Sequence, residues 1–184
     1  EFVEFDFVNG VDWKKSIYKS LGIDYPKFYK MDDLSKLSIL GIKLIENSGW
    51  LDGFGDSDIS MIFCNKNVST HADNKYRETL ERGMPSPAVF VYTLPSVCVG
   101  ELTIFKKYYG SSCFYVTDNL ESLPLSDLVE IELAKGYKGV LFSWVEKSDD
   151  KDFGLFFTFD KDEQFLTTVR FKKYLCESPR WKPG

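Results

Sequence analysis

The stretch that decides the fold is PSPAVFVYTLPSVCVGELTIFKKYYG, residues 85–110. It is mostly apolar, and the pair Leu94-Pro95 lies near its middle. Because proline fits the first turn of a helix and breaks a helix interior, this pair predicts that a helix begins here. Gly110 is predicted to end that helix. The residues that follow, 113–117, are aromatic and β-branched, which predicts a strand.

Strand and helix signals alternate along the rest of the chain. Short apolar runs predict strands at residues 3–8, 58–64 and 139–145. Apolar residues at helical spacing predict helices at residues 72–82 and 123–135, and one that Asp32 or Asp33 caps and residues 47–49 end. Residues 153–160 and 165–171 alternate around a polar turn, the pattern of a β-hairpin. We therefore predict an α/β fold, with a mostly parallel mixed sheet covered by helices and a C-terminal β-hairpin.

Composition indicates an ordinary globular domain. The chain has 184 residues, of which 43% are hydrophobic and 28% charged. This length suits one hydrophobic core, so residues 1–184 are expected to form a single domain with a flexible tail at 174–184. The net charge of −5 and the absence of a dense basic block argue against nucleic-acid or anionic-membrane partners.

The four cysteines, at positions 64, 98, 113 and 176, fit neither a metal-binding spacing nor a disulfide framework. No signal-peptide pattern and no apolar run of about 18 residues is found. The expectation is a reduced, cytoplasmic protein without membrane insertion, metal or cofactor.

Conventional catalytic patterns are scarce. His71 is the only histidine, which excludes a two-histidine metal site. It lies beside Asp73 and is expected to be an exposed loop or helix-cap residue. Cys113 follows Gly110-Ser111-Ser112, but its apolar neighbours favour a buried strand cysteine over a reactive thiol.

Read in order, several segments resemble the landmarks of β-ketoacyl synthases. Residues 31–38, MDDLSKLS, are similar to the start of the first long helix of that family, and ISMIF at 59–63 to the strand after it. Residues 85–102 carry the strongest similarity, and Gly110 corresponds to a family glycine. Residues 123–136 and 139–146, the latter ending in Glu146, resemble the nucleophile helix and the next core strand. The resemblance covers residues 31–146 and implies the first half of a thiolase-like fold.

The departures from the family pattern bear on function. In the family, the nucleophilic cysteine lies nine residues after the glycine that corresponds to Gly110, and this spacing leads to Asn119. An asparagine amide cannot act as a thiolate nucleophile. The family's two active-site histidines come from a second half that has no counterpart here. The resemblance therefore implies a chain that does not catalyse condensation by itself.

The resemblance also implies an interface. Family members dimerise through the strand before the nucleophile, so an exposed edge strand is expected at Cys113, Phe114, Tyr115, Val116 and Thr117. The expected function is a non-catalytic ketosynthase-like subunit in fatty-acid, polyketide or polyene biosynthesis. It would form a homodimer, or a heterodimer with a full-length ketosynthase, and acyl carrier protein is a further expected partner.

Two alternatives stay open. The chain could be a small acyltransferase that uses Cys113 or Ser112 as its nucleophile. It could also be a module that binds an acyl chain, or an acyl carrier, in an apolar tunnel without reacting with it.

Overall fold

The computed structural model describes residues 2–6, 12–148, 151–160 and 168–174. Its longer elements, in chain order, are β1 (Phe2–Asp6), α1 (Trp13–Ser20), α2 (Asp33–Asn47), β2 (Ile59–Asn65), α3 (Thr70–Glu81), α4 (Pro87–Phe90), α5 (Val97–Lys106), β3 (Ser112–Val116), α6 (Leu125–Ala134), β4 (Gly139–Lys147), β5 (Lys151–Asp160) and β6 (Thr168–Tyr174). Short 3-10 helices lie at Pro26–Lys30, Val91–Thr93 and Leu120–Ser122.

The strands form a six-stranded sheet in the order β1-β6-β5-β4-β2-β3. β2 is parallel to both β3 and β4, and β1 is parallel to β6. β5 is antiparallel to β4 and to β6. The predicted α/β class, the mostly parallel mixed sheet and the C-terminal antiparallel strand pair are confirmed. The predicted hairpin turn and the start of its second strand lie outside the described residues.

Helix α2 follows the sequence pattern closely. Asp32 caps it, because its carboxylate accepts a hydrogen bond from the backbone N–H of Ser35 at 3.0 Å. Gly41 lies where the helix crosses the sheet, and a Cβ atom there would be 2.1 Å from the ring of Phe156. The glycine therefore allows α2 to pack closely against β5.

The region around Leu94-Pro95 also follows the prediction, except at its end. Helix α5 starts at Val97, two residues after the proline, but it ends at Lys106, before Gly110. Lys107 provides the left-handed C-cap, with a φ angle of 57°. Gly110 has a different role, since a Cβ atom there would lie 1.9 Å from the carbonyl oxygen of Ile59. This glycine is required for the chain to pass close to β2.

Both faces of the sheet are apolar. The larger core cluster lies on the face covered by α2 and α5 and includes Phe28, Phe63 and Phe156. The smaller cluster lies on the opposite face and includes Val129 of α6 and Phe142 of β4. Burial of both faces is typical of parallel sheets and agrees with the unbroken apolar runs in β2 and β4.

Helix α1 has no counterpart among the predicted elements. Its Lys14 is buried and forms ion pairs with Asp152 at 2.6 Å and with Asp33 at 3.2 Å. The indole of Trp13 also donates to Asp152, at 3.2 Å. These contacts attach the helix to residues far away in the sequence, so a local pattern could not reveal them.

Within the described residues, no single helix is long and apolar enough to cross a membrane. One pair, Pro87–Thr93 with Val97–Lys106, reaches that length and composition only when counted together, and it is bent by 102°.

Candidate functional site

Strand β3 lies at an edge of the sheet. Within the described part of the chain it pairs only with β2, in a parallel register that places Phe114 beside Phe63. Its other side is open. Unpaired strand edges present backbone hydrogen-bonding groups that can template the pairing of another chain.

Backbone hydrogen bonds show which residues of β3 face the open side. Met61 N donates to Ser111 O at 2.9 Å, and Thr117 N donates to Asn65 O at 3.0 Å. In a parallel ladder every second residue bonds to a given neighbouring strand, so the odd-numbered residues between these two also face β2. The even-numbered residues direct their backbone N–H and C=O groups towards the open side: Ser112, Phe114 and Val116.

The side chains of β3 divide between the two faces of the sheet. Phe114 packs against the larger core cluster, and Cys113 packs against the smaller one. Val116 is 57% exposed, and Tyr115 is also exposed. The edge therefore combines unpaired backbone groups with exposed apolar side chains, as an interface strand does.

Two exposed isoleucines come from the helices next to this edge. Ile104 of α5 is 62% exposed, and Ile131 of α6 is 51% exposed. Helix α5 contacts β3 directly. Helix α6 is tied to the start of β3, because Ser111 donates to Glu132 at 2.7 Å.

Asn119 lies three residues beyond the end of β3 and is exposed. Its side-chain oxygen accepts hydrogen bonds from the backbone N–H and the hydroxyl of Ser122, both at 2.8 Å. It thereby caps the short helix Leu120–Ser122, and α6 begins only at Leu125. The residue at the expected nucleophile position is a structural cap and does not lie at the start of a long helix.

Cys113, the alternative nucleophile, is half-buried. Burial raises the pKa of its thiol, and the sulfur donates a weak hydrogen bond to the Met61 carbonyl at 3.7 Å. A reactive cysteine needs the opposite shift, towards the thiolate. Ser112 is exposed on the same strand.

A buried carboxylate lies behind β3. Glu132 accepts hydrogen bonds from Ser60 at 2.8 Å and from Ser111 at 2.7 Å, and its other oxygen lies 2.6 Å from Lys135. Burial raises the pKa of Glu132, but the hydrogen bonds from Lys135, Ser111 and Ser60 outweigh it and hold the pKa below its ordinary value. This cluster joins the start of β3 to β2 and α6.

The loop after β2 approaches the end of β3. Asn65 bonds to both backbone groups of Val68, at 2.8 and 2.9 Å, and Val68 has a left-handed φ of 53°. Glu146 accepts from the backbone N–H groups of Lys66 and Asn67, at 2.9 and 3.3 Å. Left-handed φ is unfavourable for a β-branched residue, so these contacts hold the loop in a strained conformation.

That loop also reaches the segment of Asn119. Lys66 pairs with Asp118 at 3.2 Å. Sequence reasoning assigned no role to Glu132 or to the 65–69 loop. The inward helical spacing of Glu132 with Leu125, Leu128 and Val129 was the one available signal for the buried carboxylate.

His71 contacts a different set of residues from those near Cys113. Its Nε2 lies 3.7 Å from Asp33. It lines a shallow cleft together with Asp32, Asp33, Leu34, Val68, Ser69, Ala72 and Lys147. No cysteine lines this cleft, so the structure does not bring His71 and Cys113 together there. Across the described residues, no group of three or more His, Cys, Asp or Glu side chains could hold a metal ion.

No protein-family model matches the chain, and no curated protein matches it. Among solved structures, it is similar to a chain in the complex of the ketosynthase ApeO with its chain length factor ApeC from Xenorhabdus doucetiae, with a TM-score of 0.51 and 18% sequence identity. The similarity covers 68% of this chain and 51% of that chain, so it extends over about half of the solved chain. The chain therefore has a ketosynthase-like, thiolase-type half-fold, as the resemblance implied.

Proposed function

We propose that the chain is a non-catalytic ketosynthase-like subunit, which acts by pairing through the open edge of β3 with another ketosynthase-like chain. The open edge supports this proposal most directly. Three residues of β3 direct unpaired backbone groups outward, and exposed apolar side chains from β3, α5 and α6 surround them. The residues proposed for the interface are Cys113, Phe114, Tyr115, Val116 and Thr117.

The lack of catalysis is argued from the residues after β3. The amide of Asn119 has no thiolate-like form, and its oxygen is occupied by two hydrogen bonds from Ser122. The raised pKa of Cys113 keeps its thiol protonated at neutral pH. Neither residue offers an activated nucleophile.

The partner is proposed by analogy. The similar solved complex joins a ketosynthase to its chain length factor. We therefore propose a second copy or a full-length ketosynthase as partner, in the assembly of a fatty-acid, polyketide or polyene chain. Acyl carrier protein would then be handled by the complex.

We also propose that residues 1–184 form one domain in the cytoplasm. Strands from the two ends of the chain, β1 and β6, pair in the same sheet, which supports a single folding unit. Cys64, Cys98 and Cys113 are free thiols, in keeping with a reducing compartment.

The edge is tested by Val116→Pro. Proline removes an outward-facing N–H and leaves the ladder to β2 intact, because residue 116 does not bond to β2. We expect Val116→Pro to lose association with itself or with a purified full-length ketosynthase, measured by light scattering, while thermal unfolding stays within a few degrees of wild type. Val116→Thr, which retains the N–H, is the matched control and should associate normally. Unchanged association of the proline variant would contradict the proposal.

The alternative, a small acyltransferase, is favoured by the position of Cys113 beside the exposed Ser112. Incubation with an acyl-thioester followed by intact-mass spectrometry separates the two functions. We expect no acyl adduct, and slow alkylation of Cys113 by iodoacetamide relative to free cysteine. A rapid adduct that disappears in Cys113→Ala or Ser112→Ala would establish the enzyme instead.

A further inference from the structure

Charge is distributed unequally along β3. Lys107 and Lys135 lie at its amino end, where Glu132 offsets one of them. The carboxyl end carries three exposed carboxylates, of which Lys66 offsets one. These carboxylates are Asp118, which is 81% exposed, Glu121 and Asp127. The amino end is therefore net positive and the carboxyl end net negative.

The two ends are electrostatically separate. The five residues of β3 span about 13 Å, at about 3.3 Å per residue. This exceeds the Debye length of about 8 Å at physiological ionic strength. A second copy of β3 running antiparallel would place each positive end beside a negative end, whereas a parallel copy would place like charges together. The edge is complementary to itself in the antiparallel direction only.

Backbone parity then selects the register. An antiparallel pair in which Phe114 faces Phe114 of the second copy brings Ser112 opposite Val116, so all three outward-facing residues meet outward-facing residues. A shift by one residue pairs outward-facing groups with groups already bonded to β2. Centring the pair on Cys113 or Tyr115 leaves one outward-facing residue opposite a position beyond the strand.

The flanking side chains fit the same arrangement. Ile104 and Ile131 lie on helices that cover opposite faces of the sheet, and both are mostly exposed. A symmetric partner would bring its own copies of these residues to the same two faces. Removal of apolar surface from water would then add to the backbone bonds.

From these observations we infer that the occupant of the open edge is a second copy of this chain, paired antiparallel about a two-fold axis at Phe114. This rests on the proposed function, since it identifies the partner at the same edge. A two-fold interface is isologous: each residue of one copy meets its counterpart across the axis.

Disulfide trapping tests the register. Cys113 lies opposite Tyr115 of the second copy as a non-hydrogen-bonded pair, with Cα atoms about 4.5 Å apart, within the range of about 4.4–6.8 Å that disulfides span. In a Cys176→Ser background, Tyr115→Cys should oxidise to a dimer joined between positions 113 and 115, as identified by peptide mass spectrometry. The matched control Val116→Cys faces Ser112 and should not cross-link to Cys113. A Cys113–Cys113 disulfide in the background protein would overturn the register.

Charge exchange tests the direction. Lys107→Glu or Glu121→Lys should weaken the dimer about three- to thirtyfold, because each exposed charge acts twice in a symmetric pair. The double variant restores opposite charges at the two ends and should recover most of the affinity, measured by sedimentation. Failure to recover would overturn the antiparallel arrangement.

Oligomeric state separates this inference from the proposed function. We expect the purified chain to be a dimer. A monomer that binds a full-length ketosynthase, with loss of binding in Val116→Pro, would overturn the second copy as occupant and leave the proposed function standing. A monomer that binds neither would overturn both.

Discussion

Individual residues at the start of β3 are held by one buried carboxylate. Glu132 accepts two serine hydroxyls and an ammonium group, and these contacts connect β2, β3 and α6. Hydrogen bonds to a charged group contribute more than neutral ones, and a buried polar group left without its partner is costly. The edge strand therefore depends on a residue that does not itself lie on the edge.

We expect Glu132→Gln to lower the free energy of unfolding by about 1–3 kcal/mol at pH 7. The pKa of Glu132 is depressed in the folded chain, so its contribution is present above the ordinary value of 4.5 and is lost as the pH falls through the folded pKa. The difference between wild type and Glu132→Gln should therefore shrink below pH 4.5. Urea unfolding at several pH values measures it, and a difference that grows on acidification would contradict the assignment.

At the scale of elements, the orientation of β3 predicts an alternating pattern of amide exchange. The N–H groups of Cys113 and Tyr115 face β2, and those of Phe114 and Val116 face the open side. In Val116→Pro, which should not pair, we expect the Phe114 amide to exchange much faster than those of Cys113 and Tyr115. In wild type at high concentration all should be protected. Exchange followed by NMR reads each amide, and equal protection of all three in the variant would contradict the orientation.

Elements with local signals could be predicted from the sequence. The cap at Asp32, the break at Leu94-Pro95 and the strand after Gly110 each depend on residues close to one another in the chain. The ion pair of Lys14 with Asp152 joins residues 138 positions apart, so α1 gave no sufficient local pattern. The end of α5 was missed because Lys107, a residue that disfavours left-handed φ, adopts it.

The candidate site divides in the same way. The strand at 113–117 and the position of Asn119 followed from spacing and resemblance. The environment of Asn119 did not, since its cap on Ser122 and the 65–69 loop depend on side-chain geometry. The outward direction of Phe114 and Val116 required the hydrogen bonds to β2, because a strand pattern does not show which of its two edges is paired.

At the scale of the whole molecule, the sheet ends in β1, which comes from the other end of the chain from its neighbour β6. Removing residues 1–6 would expose the edge of β6 in addition to that of β3. We expect this truncation to lower the unfolding midpoint and to cause concentration-dependent aggregation, measured by light scattering. A synthetic peptide of residues 1–8 should reverse the effect, and a truncated chain as stable as the full one would contradict the role of β1.

The close passage of Gly110 against Ile59 has a consequence for how this chain can vary. Any side chain at position 110 would meet the backbone of β2 and push the start of β3 away from the sheet. Solvent-exposed interface residues such as Val116 can change size without disturbing the fold, but this position cannot. Natural or laboratory variation should therefore be narrowest at a glycine that contacts no partner, and broader along the surface that does.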